Sequence, residues 1–222
     1  MKLGVRFTIA IAGIDAMLFG LAGRLDWRAP WLLTLTFLVP YSIGAPWLVR
    51  HDPDLLQERM SRAARNVPRW DRLLLRIYLV LFLALLMTAA LDAGRFRWSN
   101  MPPAVQAVGG ACILFAIAVI WWCVAVNPFL ASYARIQDDR GHRVVREGPY
   151  QFVRHPMYTA IIVLMIGIAL FLGSWLAVMP AILIGVVFAV RTRLEDRLLT
   201  MGLEGYRAYA ELVPSRLLPG VW

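Results

Sequence analysis

Residues 158–190 read YTAIIVLMIGIALFLGSWLAVMPAILIGVVFAV, 33 positions without one charged side chain. As a single helix they would be about 50 Å long, too long for a hydrocarbon core of roughly 30 Å. Gly173-Ser174 offers a break near the middle, so the stretch reads as a tight helical hairpin with arms 158–172 and 174–190. Pro180 is expected to kink the second arm. Four further hydrophobic segments precede it, near 3–23, 31–49, 73–91 and 104–126, each about 20 residues and long enough to span. The fold expected is therefore all-α: a polytopic integral membrane protein with about six transmembrane helices, the last two forming the hairpin.

Composition points the same way. Of 222 residues 60% are hydrophobic and 17% charged, and the polar residues sit in short blocks between apolar runs. The net charge of +9 does not indicate a nucleic-acid partner, because the cations flank hydrophobic segments instead of forming one basic face. With the N-terminus inside, nineteen of the 23 Lys and Arg lie on inner segments, and the outer loops hold Arg24, Arg28, Arg95 and Arg97. That asymmetry predicts both termini on the cytoplasmic side and an even number of spans. The N-terminal Met-Lys-Leu-Gly-Val-Arg resembles a signal-peptide n-region without a convincing cleavage site, so it reads as the start of a membrane helix. Cys112 and Cys123 share one hydrophobic segment about 16 Å apart along a helix, beyond disulfide reach, and read as packing residues. His51, His142 and His155 are scattered, and no metal-ligand spacing is present.

Three polar stretches need an account. The inner loop 50–72, with six Arg and four acids, fits either an interfacial helix touching anionic headgroups or a solvated loop. Asp15 lies inside the first apolar segment, where a structural partner on a neighbouring helix is the simplest reading. Residues 191–212 carry Leu194, Leu198, Leu199, Leu203 and Tyr206 near helical spacing, and so predict one amphipathic surface helix ending before Pro214.

Polar and aromatic groups also collect on both sides of the hairpin. Before it stands Gly141-His142-Arg143-Val144-Val145-Arg146-Glu147-Gly148-Pro149-Tyr150-Gln151-Phe152-Val153-Arg154-His155-Pro156-Met157-Tyr158, and after it Arg191, Glu195 and Asp196. Pro156 suits the first turn of a helix, whose N-terminus leaves free backbone donors and a partial positive charge able to receive a carboxylate. Gly148-Pro149 makes a turn that aims Tyr150 at the same place. Arg191 and Glu195, four apart, share one helix face. Because both clusters bracket one hairpin, they must meet at one membrane face. A tight loop facing headgroups and an ordinary helix ion pair would explain the same residues separately.

The combination His142-x-Val144-Val145-x-x-Gly148-Pro149-Tyr150-x-x-Val153-Arg154-His155-Pro156-x-Tyr158, a hairpin, Glu195-Asp196, Gly202-x-x-x-Tyr206-x-x-Tyr209 and Val213-Pro214-x-Arg216-x-x-Pro219-Gly220 resembles the isoprenylcysteine carboxyl methyltransferase family and its relatives, the phospholipid N-methyltransferases. The resemblance covers roughly 127–222 and divides the chain into N-terminal transmembrane helices, 1–126, and a methyltransferase region, 127–222, with an S-adenosylmethionine site closed by the C-terminal helix. It implies that His142, Val144 and Val145 line the cofactor pocket, that Tyr150 packs on the cofactor, and that His155, Pro156, Met157 and Tyr158 wrap its methionine part. Gln137 matches a further cofactor-contacting Gln. Glu195 would hold a polar group of the cofactor and Arg191 would face a substrate carboxylate, which makes these two the candidate catalytic residues. Asp196 stands where the family often has Glu. The implied partners are a lipophilic small-molecule or lipidated acceptor, most simply an isoprenylcysteine-like carboxylate, and the surrounding membrane lipids; a phospholipid or other amine is the alternative acceptor. A sterol-type reductase using NADPH shares the Arg-His-Pro-x-Tyr block, but it commonly carries Asn where Met157 stands here. A non-enzymatic scaffold would leave the polar cluster without a reason.

Overall fold

The computed structural model describes residues 2–60 and 67–222. Regular structure among them is entirely helical: α1 (Lys2–Ala22), α2 (Arg28–His51), α3 (Pro53–Met60), α4 (Arg69–Ala89) continued by a π-helical turn (Ala90–Phe96), α5 (Pro103–Val126), α6 (Pro156–Phe171), α7 (Val178–Gly202) and α8 (Tyr206–Leu212). Four of these are long and apolar enough to cross a membrane: Gly4–Ala22, Arg28–His51, Arg69–Phe96 and Pro103–Val126. The hairpin α6–α7 adds two more apolar arms. Its turn lies where Gly173 adopts φ +83°, a left-handed conformation that glycine enters without a Cβ penalty.

The hairpin sits in the middle of the bundle, held by α5 on one side and α4 on the other. Small residues let α5 and α6 approach closely. A Cβ at Gly109 would lie 2.5 Å from the Phe171 amide nitrogen, and one at Gly167 would lie 3.0 Å from Cys112 Cβ. This is the small-residue packing that membrane helices use in place of a hydrophobic drive. Cys112 therefore serves this close approach, and Cys123 is fully buried. Leu85, Leu86, Ile113, Ile168 and Ile184 fill the centre between these helices. Asp15 has a structural partner, the Thr34 hydroxyl on α2, which donates to it at 2.6 Å.

Two expectations need correction. Pro180 is the third residue of α7, within the first turn, where an amide has no intrahelical acceptor to lose; the arm has no reason to kink there. Residues 191–212 are not one surface helix. The first twelve continue α7 without a break to Gly202, the chain reverses through Gly205 at φ +76°, and α8 begins afresh before stopping ahead of Pro214. In the loop 50–72, Pro53–Met60 is helical and capped by Asp52, whose carboxylate accepts the Leu55 amide at 2.8 Å; residues 61–66 lie outside the described residues.

The turn end of the hairpin is fastened by one residue. Asp92, fully buried in the π-helical turn, accepts from the Ser99 amide (2.8 Å), the Ser99 hydroxyl (2.5 Å) and the Ser174 hydroxyl (2.5 Å). The opposite end carries the site.

Candidate active site

The connection from α5 to α6, residues 127–155, has no long helix of its own, and side chains hold its shape. Asn127 ends α5, accepts the Phe129 amide (2.9 Å) and donates to the Tyr150 hydroxyl (2.8 Å). Gln137 donates to the Phe129 carbonyl (2.6 Å) and accepts from Arg140 (2.7 Å), while its amide meets His142 Nδ1 at 3.3 Å. The His142 ring lies 4.8 Å from that of Phe129. Burial pushes the His142 pKa down to about 4, so the imidazole is neutral at pH 7 and its Nδ1 is free to accept. Gly148, at φ +58°, opens the short turn Gly148–Gln151 that buries Tyr150.

At the start of α6, His155 precedes Pro156, which occupies the first helical position. The Arg154 and His155 amides donate to the Ser215 and Arg216 carbonyls at 3.0 and 2.9 Å. Thr159 donates to the Leu217 carbonyl at 2.7 Å. The C-terminal tail is thus laced to the first turn of α6. Asp196 completes this joint. It takes two bonds from Arg154 (2.8 and 2.9 Å), one from Arg216 (2.9 Å) and one from the Tyr206 hydroxyl (2.9 Å), with His155 Nε2 at 3.4 Å. Burial alone would raise the Asp196 carboxyl, but hydrogen bonds from His155, Arg154, Arg216 and Tyr206 outweigh it and hold it well below the usual carboxylate range. The role left open for the second acid of the Glu195-Asp196 pair is therefore that of a clamp joining α6, α7, α8 and the tail.

One residue earlier, Glu195 turns to the other side of α7 and accepts from the Tyr158 hydroxyl. Arg191, one turn back, places its guanidinium 5.0 Å from the centre of the Tyr158 ring. Its Nε donates to Asp71 on α4 at 2.7 Å, and its Nη2 reaches the Ser132 carbonyl at 3.2 Å. Tyr209 of α8 donates to the Tyr150 carbonyl at 2.7 Å, and burial raises its phenol to about 12.

These groups surround a cavity of about 290 Å³, close to the lower end of the range usual for small-molecule sites. His142, Val144, Val145, Tyr150, His155, Pro156, Met157, Tyr158, Arg191 and Glu195 all line it. Gln137 does not. Its side-chain amide bonds to the Phe129 carbonyl and Arg140 and props the loop behind His142. Sequence reasoning missed Asp71, which was counted only among the acids of a basic loop, and Asn127, which had no motif around it. Tyr206 and Tyr209 were visible as part of the C-terminal motif, but their facing the cavity depends on the reversal at Gly205.

The wall is chemically mixed in a useful way. Tyrosine faces suit a cation, the α6 N-terminus suits a carboxylate, Glu195, which has no arginine partner among the described residues, offers a polar anchor, and Leu199, Leu203, Val144 and Val145 suit an apolar ring. That donor set fits S-adenosylmethionine, which combines a sulfonium, an amino acid and a purine nucleoside.

Residues 104–204, from the start of α5 to just beyond the end of α7, match the phospholipid methyltransferase family. The match covers a little under half of the chain and supports a membrane methyltransferase of the superfamily that the motifs resemble. No curated protein matches the chain.

Proposed function

We propose that this protein is an S-adenosylmethionine-dependent methyltransferase that acts on a lipophilic acceptor at the cytoplasmic face of a membrane, with both termini on that face and residues 127–222 as its cofactor-binding region. One observation carries the reading: positions proposed for the cofactor from a linear motif, on both sides of a 33-residue apolar hairpin, line a single cavity. The family match supports methyl transfer over hydride transfer from NADPH.

When bound, S-adenosylmethionine supplies a methyl group already activated on a sulfonium, so transfer is an in-line displacement. The residues have correspondingly modest tasks. Tyr150 presents an aromatic face to positive charge, as Tyr158 does to the Arg191 guanidinium. Glu195 anchors a polar group and holds the Tyr158 hydroxyl in place. Tyr206 and Tyr209, the buried side chains of α8, keep water from the reacting atoms. A carboxylate acceptor is ionised at neutral pH and needs orientation alone. Arg191 can give it: Asp71 and Ser132 occupy the Nε and Nη2 groups, and Nη1 remains for the acceptor.

A second reading, an amine acceptor, draws support from the same pair, because Arg191 already has a carboxylate partner in Asp71. An amine must lose a proton, and Glu195 or His155 would then serve as base.

Purified protein in detergent would be offered labelled S-adenosylmethionine and two acceptors, N-acetyl-S-farnesylcysteine and phosphatidylethanolamine. The expected result is retention of the label and a base-labile methyl ester on the first acceptor. Base-stable methylation of the second would establish the amine reading. Failure to retain the label, together with binding of NADPH, would overturn the assignment.

A further inference from the structure

Asp71 lies outside both the matched segment and the motifs that carry the resemblance. It is the third residue of α4 and is completely buried. Its Oδ1 receives Arg191 Nε at 2.7 Å, and its Oδ2 receives the Ala134 amide at 2.9 Å. Arg191 is itself nearly buried, and its guanidinium lies against the ring of Tyr158 on the cavity wall. Of the other arginines on the wall, Arg135 pairs with Glu58 and Arg154 with Asp196, Arg59 donates to the Leu130 carbonyl with no carboxylate partner among the described residues, and Arg143 is exposed. The Arg191–Asp71 pair differs from both of those ion pairs in having no second, more exposed charged partner: Arg135 also meets Asp139, and Asp196 also meets Arg216.

A buried, unpaired guanidinium would repel a second cation in the same cavity, because a buried charge is screened far less than an exposed one. A sulfonium is such a cation. We infer that Asp71 is the charge-balancing residue for Arg191: by cancelling that guanidinium it removes the buried cation of the wall from the field that a cationic cofactor meets. This rests on the S-adenosylmethionine reading above. Asp71 acts through Arg191 and touches neither cofactor nor acceptor, so it is a positioning residue. Its Ala134 bond also steadies the wall segment whose Ser132 carbonyl holds the other side of Arg191.

The demethylated product, S-adenosylhomocysteine, provides the test. It is a neutral thioether of nearly the same shape, so the ratio of the two affinities reports charge and is insensitive to general loosening of the site. Both dissociation constants would be measured by calorimetry on detergent-solubilised protein. Asp71→Asn should shift the ratio against S-adenosylmethionine by about tenfold. Arg191→Gln, which leaves Asp71 unopposed, should shift it by a similar factor in the opposite direction, and the double variant should return to the wild-type ratio. If Asp71→Asn does not fold, the sign of the Arg191→Gln shift decides alone. A ratio within twofold of wild type in the folded single variants, or shifts of the same sign in both, overturns the proposal. Wild-type protein that binds neither ligand defeats the cofactor reading and this inference with it; wild-type protein that binds both, with a ratio the variants do not move, defeats the inference alone.

Discussion

The two ends of the α6–α7 hairpin both bury carboxylates and treat them in different ways. At the turn end, Asp92 is satisfied by two serine hydroxyls and a backbone amide. At the cavity end, Asp71 and Asp196 each meet arginine. Neutral donors suffice where one turn must be closed and nothing enters. A buried charge pair is a costlier device, easily matched in stability by apolar packing, and its presence beside a cavity suggests a task other than stability. The bonding of a buried acid, more than its burial, separates a fastening from a site.

The sharpest way to break this comparison is to ask whether the two ends face opposite sides of the membrane. Single cysteines at the exposed positions Asn100 and Glu211 should react with a membrane-impermeant maleimide from opposite sides. Labelling of both from one side would defeat the six-segment arrangement with cytoplasmic termini. The next largest effect is expected at Arg191. Lysine keeps the charge but has no fork, and Asp71 would take the ammonium and leave nothing for the acceptor. Arg191→Lys should bind S-adenosylmethionine nearly normally and lose methyl transfer on the order of a hundredfold in single turnover, as expected for a misplaced nucleophile. Near wild-type turnover would reduce Arg191 to a structural cation.

Smaller effects sharpen the contrast. Glu195→Gln and His155→Ala should each weaken S-adenosylmethionine binding by roughly tenfold, about 1.4 kcal/mol, because each removes a polar contact within the cavity. At the other end, Asp92→Asn should lower unfolding stability by about 1 kcal/mol, through donors left without an acceptor, while cofactor affinity measured on folded protein stays unchanged. A loss of affinity equal to that of Glu195→Gln would mean that the two ends are coupled. The smallest effect should come from His142. Its folded pKa, about 4, lies below the ordinary 6.5, so the unfolded chain binds the proton first as pH falls. Its contribution is present above pH 6.5 and is lost as pH drops toward 4. The melting temperature in detergent should decline over that window, and His142→Asn should flatten part of the decline.

Much of this was legible from local chemistry. The hairpin follows from apolar length and one glycine, and Tyr150 and His155 were placed by a turn signal and a helix-start signal next to it. Asp196 and Asp71 were not readable in the same way. Asp196 stands beside Glu195 in the sequence, yet one residue of helix turns it by about 100° and sends it to the opposite joint. Gln137 had the right side chain for a cofactor contact, but the loop folds so that a backbone carbonyl claims its amide. The helix expected over 191–212 ran through Gly202 and Gly205, where helical spacing of leucines outweighed the signal for reversal. The place of Pro180 within α7 depends on where the hairpin turn ends, which only the folded chain shows.

The sequence by itself determined that this chain is helical, that it belongs in a membrane, and that polar groups gather at both feet of an apolar hairpin, because each of these depends on residues close in the chain and on the length of a bilayer. Only the tertiary structure decided which of those groups share a cavity and how their charges are balanced. Asp71 and Arg191 are 120 residues apart, and nothing in the neighbourhood of either names the other. Their pairing arises from the packing of α4 against α7, a consequence of how all the apolar faces fit together.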